Sequence, residues 1–307
     1  MNTMKVYTQN QEYIDYLKDK LPNGVSLTQN FNEANYALRG RFKASEYHEN
    51  LKGIIIPFTG HNGIDLQAIK HYHLKLFNTT EHSIYVAEKA MKLTLGLLGN
   101  IHIYHTRMQK GDWSNRNTEA RISWESLLNK RVGIFGYGRI GKHLSSMLKP
   151  FTQNIYTIDR GKDYGPCLLV DSLEALIDNT DLIIIAAPLN STTENVFDEA
   201  ALKRMKNKYL INVGRGLIVN QKALYETLKT NHLKGYASDV WYNYPKQSEL
   251  TPPSDYPIHT LDNVLMTPHV GGFSTDAPLK LKEKVLEHIT NIKNGDFKEA
   301  LDPDKLK

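Results

Sequence analysis

Two α/β domains, each built on a parallel sheet, are what this sequence predicts, and three observations predict them. The chain has 307 residues, and because single domains usually run to ~100–200 residues, two is the natural number. Short apolar runs alternate with helical patterns in two separate series, the mark of strand–helix–strand units on a parallel sheet. The second series opens on a glycine turn, Gly136-Tyr-Gly138-Arg-Ile-Gly141, set between a strand and a helix. Composition points to no competing class: 40% of residues are apolar and 23% charged, with no biased tract, which is ordinary globular usage.

In the first series residues 5–8, 36–39, 53–57 and 74–77 read as strands, and 11–20 and 66–71 as helices. A longer helical pattern covers residues 83–98. Its Val86, Ala90, Leu93, Leu97 and Leu98 fall mostly three or four apart, giving one buried stripe suited to packing between domains. The second series has strands at 131–135, 155–158, 181–187, 209–213, 236–240 and 264–267, most of them separated by helical stretches at 173–178, 199–205 and 221–230. Nearly continuous apolar strands, such as Leu182-Ile-Ile-Ile185, mean burial on both faces, as in a doubly wound sheet. Residues 242–260, with four prolines, form a polar exposed loop, and residues 279–294 a closing helix that returns to the first domain. The expected division is therefore residues 1–98 plus 275–307 for one domain and 99–274 for the other.

Charge and cysteine content exclude several functions. Thirty-eight basic and 33 acidic residues give a formal charge of +5, but they are scattered, whereas nucleic-acid binding needs clustered positive charge. The longest apolar runs are too short to cross a bilayer, and the N-terminus lacks the apolar core of a signal peptide. Cys167 is the one cysteine, so no internal disulfide forms, and a cytoplasmic setting is expected. It reads as a small apolar filler. No metal site is expected.

The glycine turn carries the first functional signal. Gly136 permits the tight turn, Gly138 lets a pyrophosphate approach the backbone, and Gly141 lets the helix lie close against the strand. The amides of Arg139 and Ile140 at the helix start are a ready-made anion site. Asp159 follows the next strand, eighteen residues after Gly141, where an acidic side chain accepts hydrogen bonds from the adenosine ribose hydroxyls. This favours NAD; Arg160 and Lys162 keep NADP open.

Ligands in open parallel sheets bind beyond the carboxyl ends of the strands, and three segments sit there. Asn212-Val-Gly-Arg-Gly216 offers a guanidinium whose fork suits a carboxylate or carbonyl oxygen. Asp239 ends the following strand. Thr267-Pro-His269-Val-Gly-Gly272 offers an imidazole suited to proton exchange near neutrality.

With these motifs in order, joined by Thr59-Gly-His-Asn-Gly-Ile-Asp-Leu66, residues 83–113, Pro188-Leu-Asn-Ser-Thr-Thr193 and Asp239-Val-Trp241, the chain resembles the D-isomer-specific 2-hydroxyacid dehydrogenase family over nearly its whole length. The resemblance implies a Rossmann-type doubly wound sheet inserted into a smaller flavodoxin-like α/β domain made of both chain ends. It implies that Arg215 grips the carboxylate and carbonyl of a small 2-oxo or 2-hydroxy acid, and that His269 is its acid and base. Asp239 would contact the nicotinamide carboxamide and influence the histidine. Pro188, Thr193, Val213 and Gly271 would line the cofactor, and Thr59, Gly60 and His61, with Asn62 beside them, would hold the substrate from the other domain. A homodimer through the cofactor domain is implied as well.

The chain departs from the family pattern at one place. Most members carry a glutamate five residues after the aspartate, paired with the histidine, and this chain has Tyr244. A phenol can orient an imidazole by hydrogen bonding but supplies no stabilising charge, so His269 is expected to work with a lowered pKa unless Glu249 folds back to it. Formate dehydrogenases of the same family have glutamine there and an asparagine that aligns with Asn100, which places Asn100 with the substrate residues and makes formate oxidation an alternative. A non-enzymatic alternative is an NAD(H)-sensing protein like the corepressors that share this fold.

Overall fold

The computed structural model describes residues 3–61, 63–116, 123–161, 163–246 and 250–306. The chain divides into two compact units, Met1–His82 with Phe273–Lys307, and Ser83–Gly272.

The first unit holds β1 (Met4–Tyr7), α1 (Gln11–Leu17), β2 (Val25–Thr28), β3 (Tyr36–Leu38), β4 (Gly53–Ile56), α2 (Leu66–His71) and β5 (Lys75–Asn78), with a closing helix Ala277–Lys293. Its five parallel strands run in the order β2-β1-β3-β4-β5, the flavodoxin order. Strand β4 explains why the sheet is covered on both sides. Ile55 joins Val6, Phe77 and the closing-helix residues Val285 and Ile289 on one face, while Ile54 and Ile56 join Phe42, Ile69 and Leu76 on the other. All three isoleucines are fully buried, and each such side chain contributes roughly 1.5–3 kcal/mol. Strand β2 falls outside the sequence expectation because its four residues are only half-buried, leaving a weak edge signal.

The second unit starts with α3 (Ser83–Leu98) and α4 (Ile101–Met108). Next come β6 (Val132–Phe135), α5 (Arg139–Leu148), β7 (Ile155–Ile158), β8 (Leu168–Val170), α6 (Leu173–Asn179) and β9 (Leu182–Ile185). The chain continues through α7 (Glu199–Arg204), β10 (Tyr209–Asn212), α8 (Gln221–Lys229), β11 (Gly235–Ser238) and β12 (Val264–Met266). Seven parallel strands run β12-β11-β10-β9-β6-β7-β8, so the order reverses between β6 and β9, and a ligand crevice opens at that switch point. Ile183 and Ile185 pack with Leu176, Leu202 and Leu224 of the helices on one face. Leu182 and Ile184 pack with Leu93, Leu97 and Leu144 on the other.

Helix α3 is counted with this second unit, so the compact units part at His82/Ser83 and Gly272/Phe273 rather than at the expected 98/99 and 274/275. The reason is its apolar stripe, which lies against α5 and the β10–β12 side of the large sheet. Helix α4 carries no buried residue, and nothing in its periodicity announced it.

Candidate active site

At the glycine turn the requirement for glycine is steric at two positions. Gly136 has φ +102°, and a Cβ there would lie 2.5 Å from the Ala187 nitrogen; a Cβ on Gly141 would lie 2.5 Å from the Gly136 carbonyl oxygen. Gly138 differs, since a Cβ there would meet nothing within 4 Å. It faces open space that a side chain would fill and a pyrophosphate can enter. Helices α1, α2, α6, α7 and α8 are each capped by an Asn, Asp or Ser side chain, but α5 starts at Gly138 with no side-chain cap. The first turn of α5, with Arg139 and Ile140, therefore has no side-chain cap at the place beside the cradle where helix amides can bind an anion.

Asp159 follows β7 and its Oδ1 accepts the Gly161 N–H at 2.8 Å, which fixes the carboxylate at the end of the strand next to the cradle. Lys162 lies outside the described residues. Pro188 and Thr193 frame a loop after β9: the Thr193 hydroxyl donates to the Pro188 carbonyl at 2.7 Å and accepts the Asn190 N–H at 2.9 Å. The resemblance gave Thr193 to the cofactor; its hydroxyl here closes its own loop. Val213 is buried and its N–H donates to the Ile185 carbonyl.

The ends of β10, β11 and β12 bring Arg215, Asp239 and His269 to the same edge. Arg215 is exposed, and its Nη1 donates to the Gly214 carbonyl at 2.7 Å. Asp239, 2% exposed, uses both carboxylate oxygens on the histidine loop. Oδ1 accepts the Thr267 hydroxyl at 2.5 Å and the Val270 N–H at 3.0 Å, and Oδ2 accepts the Gly271 N–H at 2.7 Å. This clasp holds His269 at φ +59°, a left-handed conformation costly for a residue with a Cβ. Sequence reading missed Thr267 in this role, although the motif Thr267-Pro-His269 contained it.

His269 is solvent-accessible, yet protein crowds one side of its ring. Desolvation and then the charge of Arg215 lower its pKa below the ordinary 6.5, with Asp239 opposing. Tyr244 is placed differently from the expectation. Its hydroxyl accepts the Trp241 N–H at 3.1 Å instead of bonding the imidazole, and its ring packs against His269 with centroids 5.5 Å apart at 50°. Burial raises the phenol pKa, so it stays neutral. Glu249 lies outside the described residues.

In the first unit, Thr59, Gly60 and His61 follow β4. The Thr59 hydroxyl donates to the Thr79 carbonyl at 3.2 Å and pairs with His82 Nε2 at 3.1 Å, and its carbonyl accepts Asn78 Nδ2 at 2.8 Å. A Cβ on Gly60 would meet nothing within 4 Å. Asn62 lies outside the described residues.

Asn100 is not part of this constellation, and its expected place with the substrate residues is corrected. It precedes α4 with φ 50° and its amide donates to the Ser123 carbonyl at 3.1 Å. Nearby, His102 bonds the carbonyl of Asp262, just before β12, and Leu97 lies beside Gly235, the first residue of β11. Asn100 therefore sits at the amino edge of the large sheet, a strand length away from Arg215 and His269. Among the described residues no cluster of histidine, cysteine, aspartate or glutamate could hold a metal, and no helix is long and apolar enough to cross a membrane.

The large unit matches the model "D-isomer specific 2-hydroxyacid dehydrogenase, NAD binding domain" over residues 91–271. The chain is similar to D-3-phosphoglycerate dehydrogenase of Methanocaldococcus jannaschii, 31% identical over 83% of this chain and 48% of that protein. It is also similar to mitochondrial formate dehydrogenase of Solanum tuberosum, 30% identical over 76% of this chain and 61% of that protein. It thus spans about half to three-fifths of the length of these relatives. NAD-dependent formate dehydrogenase of Staphylococcus aureus, solved in complex with NAD, superposes with a TM-score of 0.72 at 27% identity, covering 97% of both chains. The matched model covers more than half of the chain, and both sheets have the expected order: the protein belongs to the D-isomer-specific 2-hydroxyacid dehydrogenase family.

Proposed function

We propose that the protein is an NAD-dependent oxidoreductase that interconverts a small 2-oxo acid and its D-2-hydroxy acid. The observation that carries this reading is the meeting of Arg215 and His269 at the carboxyl edge of the sheet that also bears the glycine cradle. Bound across Gly136–Gly141 and Asp159, the nicotinamide cofactor would supply or accept the hydride at the substrate's C2. Arg215 would leave the Gly214 carbonyl for the substrate, gripping the carboxylate and polarising the carbonyl. His269, as imidazolium, would give its proton to the carbonyl oxygen as the alcohol forms, and in the reverse direction the neutral ring would take that proton back. Asp239 would act through the histidine loop, whose left-handed turn its carboxylate holds. In the first unit, the substrate domain of this proposal, Thr59, Gly60 and His61 remain the segment that the resemblance gives to the substrate, with open space at Gly60. Asp159 favours NAD over NADP.

Three further readings accompany this one. A homodimer formed through the cofactor domain would cover Ile101, Trp113, Trp124 and Leu128, each about 60% exposed, and a cavity of about 580 Å³ bounded by α3, α4 and residues 124–128. A reduced cytoplasmic setting accords with the single Cys167. Formate oxidation is the second reaction, and the observation behind it is the aromatic Tyr244 where a carboxylate would charge the histidine. Formate loses a hydride and becomes carbon dioxide without giving the protein a proton, so a weak acid suffices.

NADH and NADPH oxidation with glyoxylate, hydroxypyruvate, pyruvate and branched or aromatic 2-oxo acids, together with formate plus NAD, tests these readings. Turnover of a 2-oxo acid is expected. Tight NADH binding with no turnover of any member would overturn the enzyme reading in favour of NAD(H) sensing.

A further inference from the structure

Asn212 ends β10 fully buried, and its side chain is spent on the loop that carries Arg215. Oδ1 accepts the Gly214 N–H at 2.9 Å, and Nδ2 donates to the Arg215 carbonyl at 2.9 Å. The Gly214 residue is thus held at both ends, by Asn212 at its nitrogen and by the Arg215 guanidinium at its carbonyl oxygen. The flanking glycines cannot anchor the loop by packing side chains. They let it lie against its neighbours instead, since a Cβ on Gly214 would sit 2.6 Å from the Ala187 carbonyl oxygen and one on Gly216 2.3 Å from that of Trp241. The carbonyl of Asn212 accepts the Asp239 N–H at 3.1 Å and the Ser238 hydroxyl at 3.3 Å. Asp239 in turn clasps Thr267, Val270 and Gly271.

We infer that Asn212 is a positioning residue: it sets the direction of the Arg215 guanidinium and, through Asp239, keeps that loop in register with the His269 loop. The inference rests on the reading of Arg215 as the residue that grips the substrate. A carboxamide is required because the site needs one acceptor and one donor at once. An aspartate would satisfy the Gly214 N–H and set an oxygen against the Arg215 carbonyl, and alanine would leave both groups unpaired in a buried place.

The test uses the full chain with NADH and glyoxylate. Asn212→Asp is expected to cut kcat/KM about a hundredfold, as a misplaced orienting group does, through a raised KM and a lowered kcat, with NADH affinity unchanged by fluorescence titration. Asn212→Ala, which buries no charge, gives the same split should the aspartate variant fail to fold. On an Arg215→Ala background either change is expected to add little, because residues acting through one another are not additive. An equal further loss on that background, or a loss that follows NADH affinity, overturns the inference. If the wild-type chain turns over no 2-oxo acid, the 2-oxo acid reading fails, and oxamate binding to the NADH complex carries the test. Weaker oxamate binding by Asn212→Asp with intact NADH affinity supports the positioning role, and equal binding overturns it.

Discussion

The two ends of the carboxyl edge of the large sheet are built from different materials. The cofactor end is backbone: Gly136 at φ +102°, the unfilled space at Gly138 and the close approach at Gly141 make it by leaving side chains out. The end proposed for proton transfer is side chains, with Arg215, Asp239 and His269 delivered by the ends of three strands and the histidine loop donating three hydrogen bonds to the Asp239 carboxylate. A site made of absent atoms is fixed within six contiguous residues and admits almost no variation. In a site assembled from distant side chains one exchange, such as the proposed one of Tyr244 for a carboxylate, would retune the chemistry while the strands keep its shape.

Substitutions at the two ends are expected to separate cleanly. The largest effect is at Arg215: Arg215→Ala should lower kcat/KM for a 2-oxo acid by about 10²–10³, the cost of removing one donor aimed at developing charge, while NADH affinity holds. An unchanged rate would place the substrate elsewhere. At the cofactor end Gly136→Ala should act on the fold itself, because both its φ and the Ala187 backbone at 2.5 Å oppose a Cβ. A loss of about 1–3 kcal/mol in chemical unfolding is expected. Gly138→Ala gives the opposite pattern, an unchanged unfolding midpoint with NADH binding weaker by about tenfold, or 1.4 kcal/mol, because its Cβ enters only the space kept for the cofactor. If Gly138→Ala destabilised the fold as much as Gly136→Ala, the cradle would be structural packing instead.

The same contrast decides what could be read in the sequence. The glycine turn and Asp159 were legible because strand, spacing and helix all lie in one short stretch, and both sheets were legible because strands such as β4 and β9 are buried on both faces and so are apolar throughout. The edge strands β2 and β8 were not, whereas β5 and β12 at the opposite edges were. In β8, Leu168 and Leu169 are 44% and 50% exposed, and β2 is half-buried throughout, so neither carries the continuous apolar run of a central strand. Helix α4 buries nothing and has no stripe against its own unit to give it a period. Arg215 and His269 were legible as motif residues beyond strands, but the roles of Asn212 and Thr267 depend on hydrogen bonds between segments that adjacent letters do not encode. Asn100 shows the converse: its alignment with an asparagine of formate dehydrogenases gave it to the substrate, while the course of α3 sets it at the amino edge of the large sheet.

The most direct test of the account is the pH dependence of kcat/KM for glyoxylate reduction, measured at saturating NADH for the wild type and for Tyr244→Glu. Reduction needs the imidazolium, so the rate falls as pH rises through the His269 pKa, which desolvation and Arg215 hold below 6.5. A glutamate at 244 would favour the charged ring. The account predicts a wild-type decline on the acid side of neutrality and a decline at higher pH for the variant; superimposed profiles would contradict it.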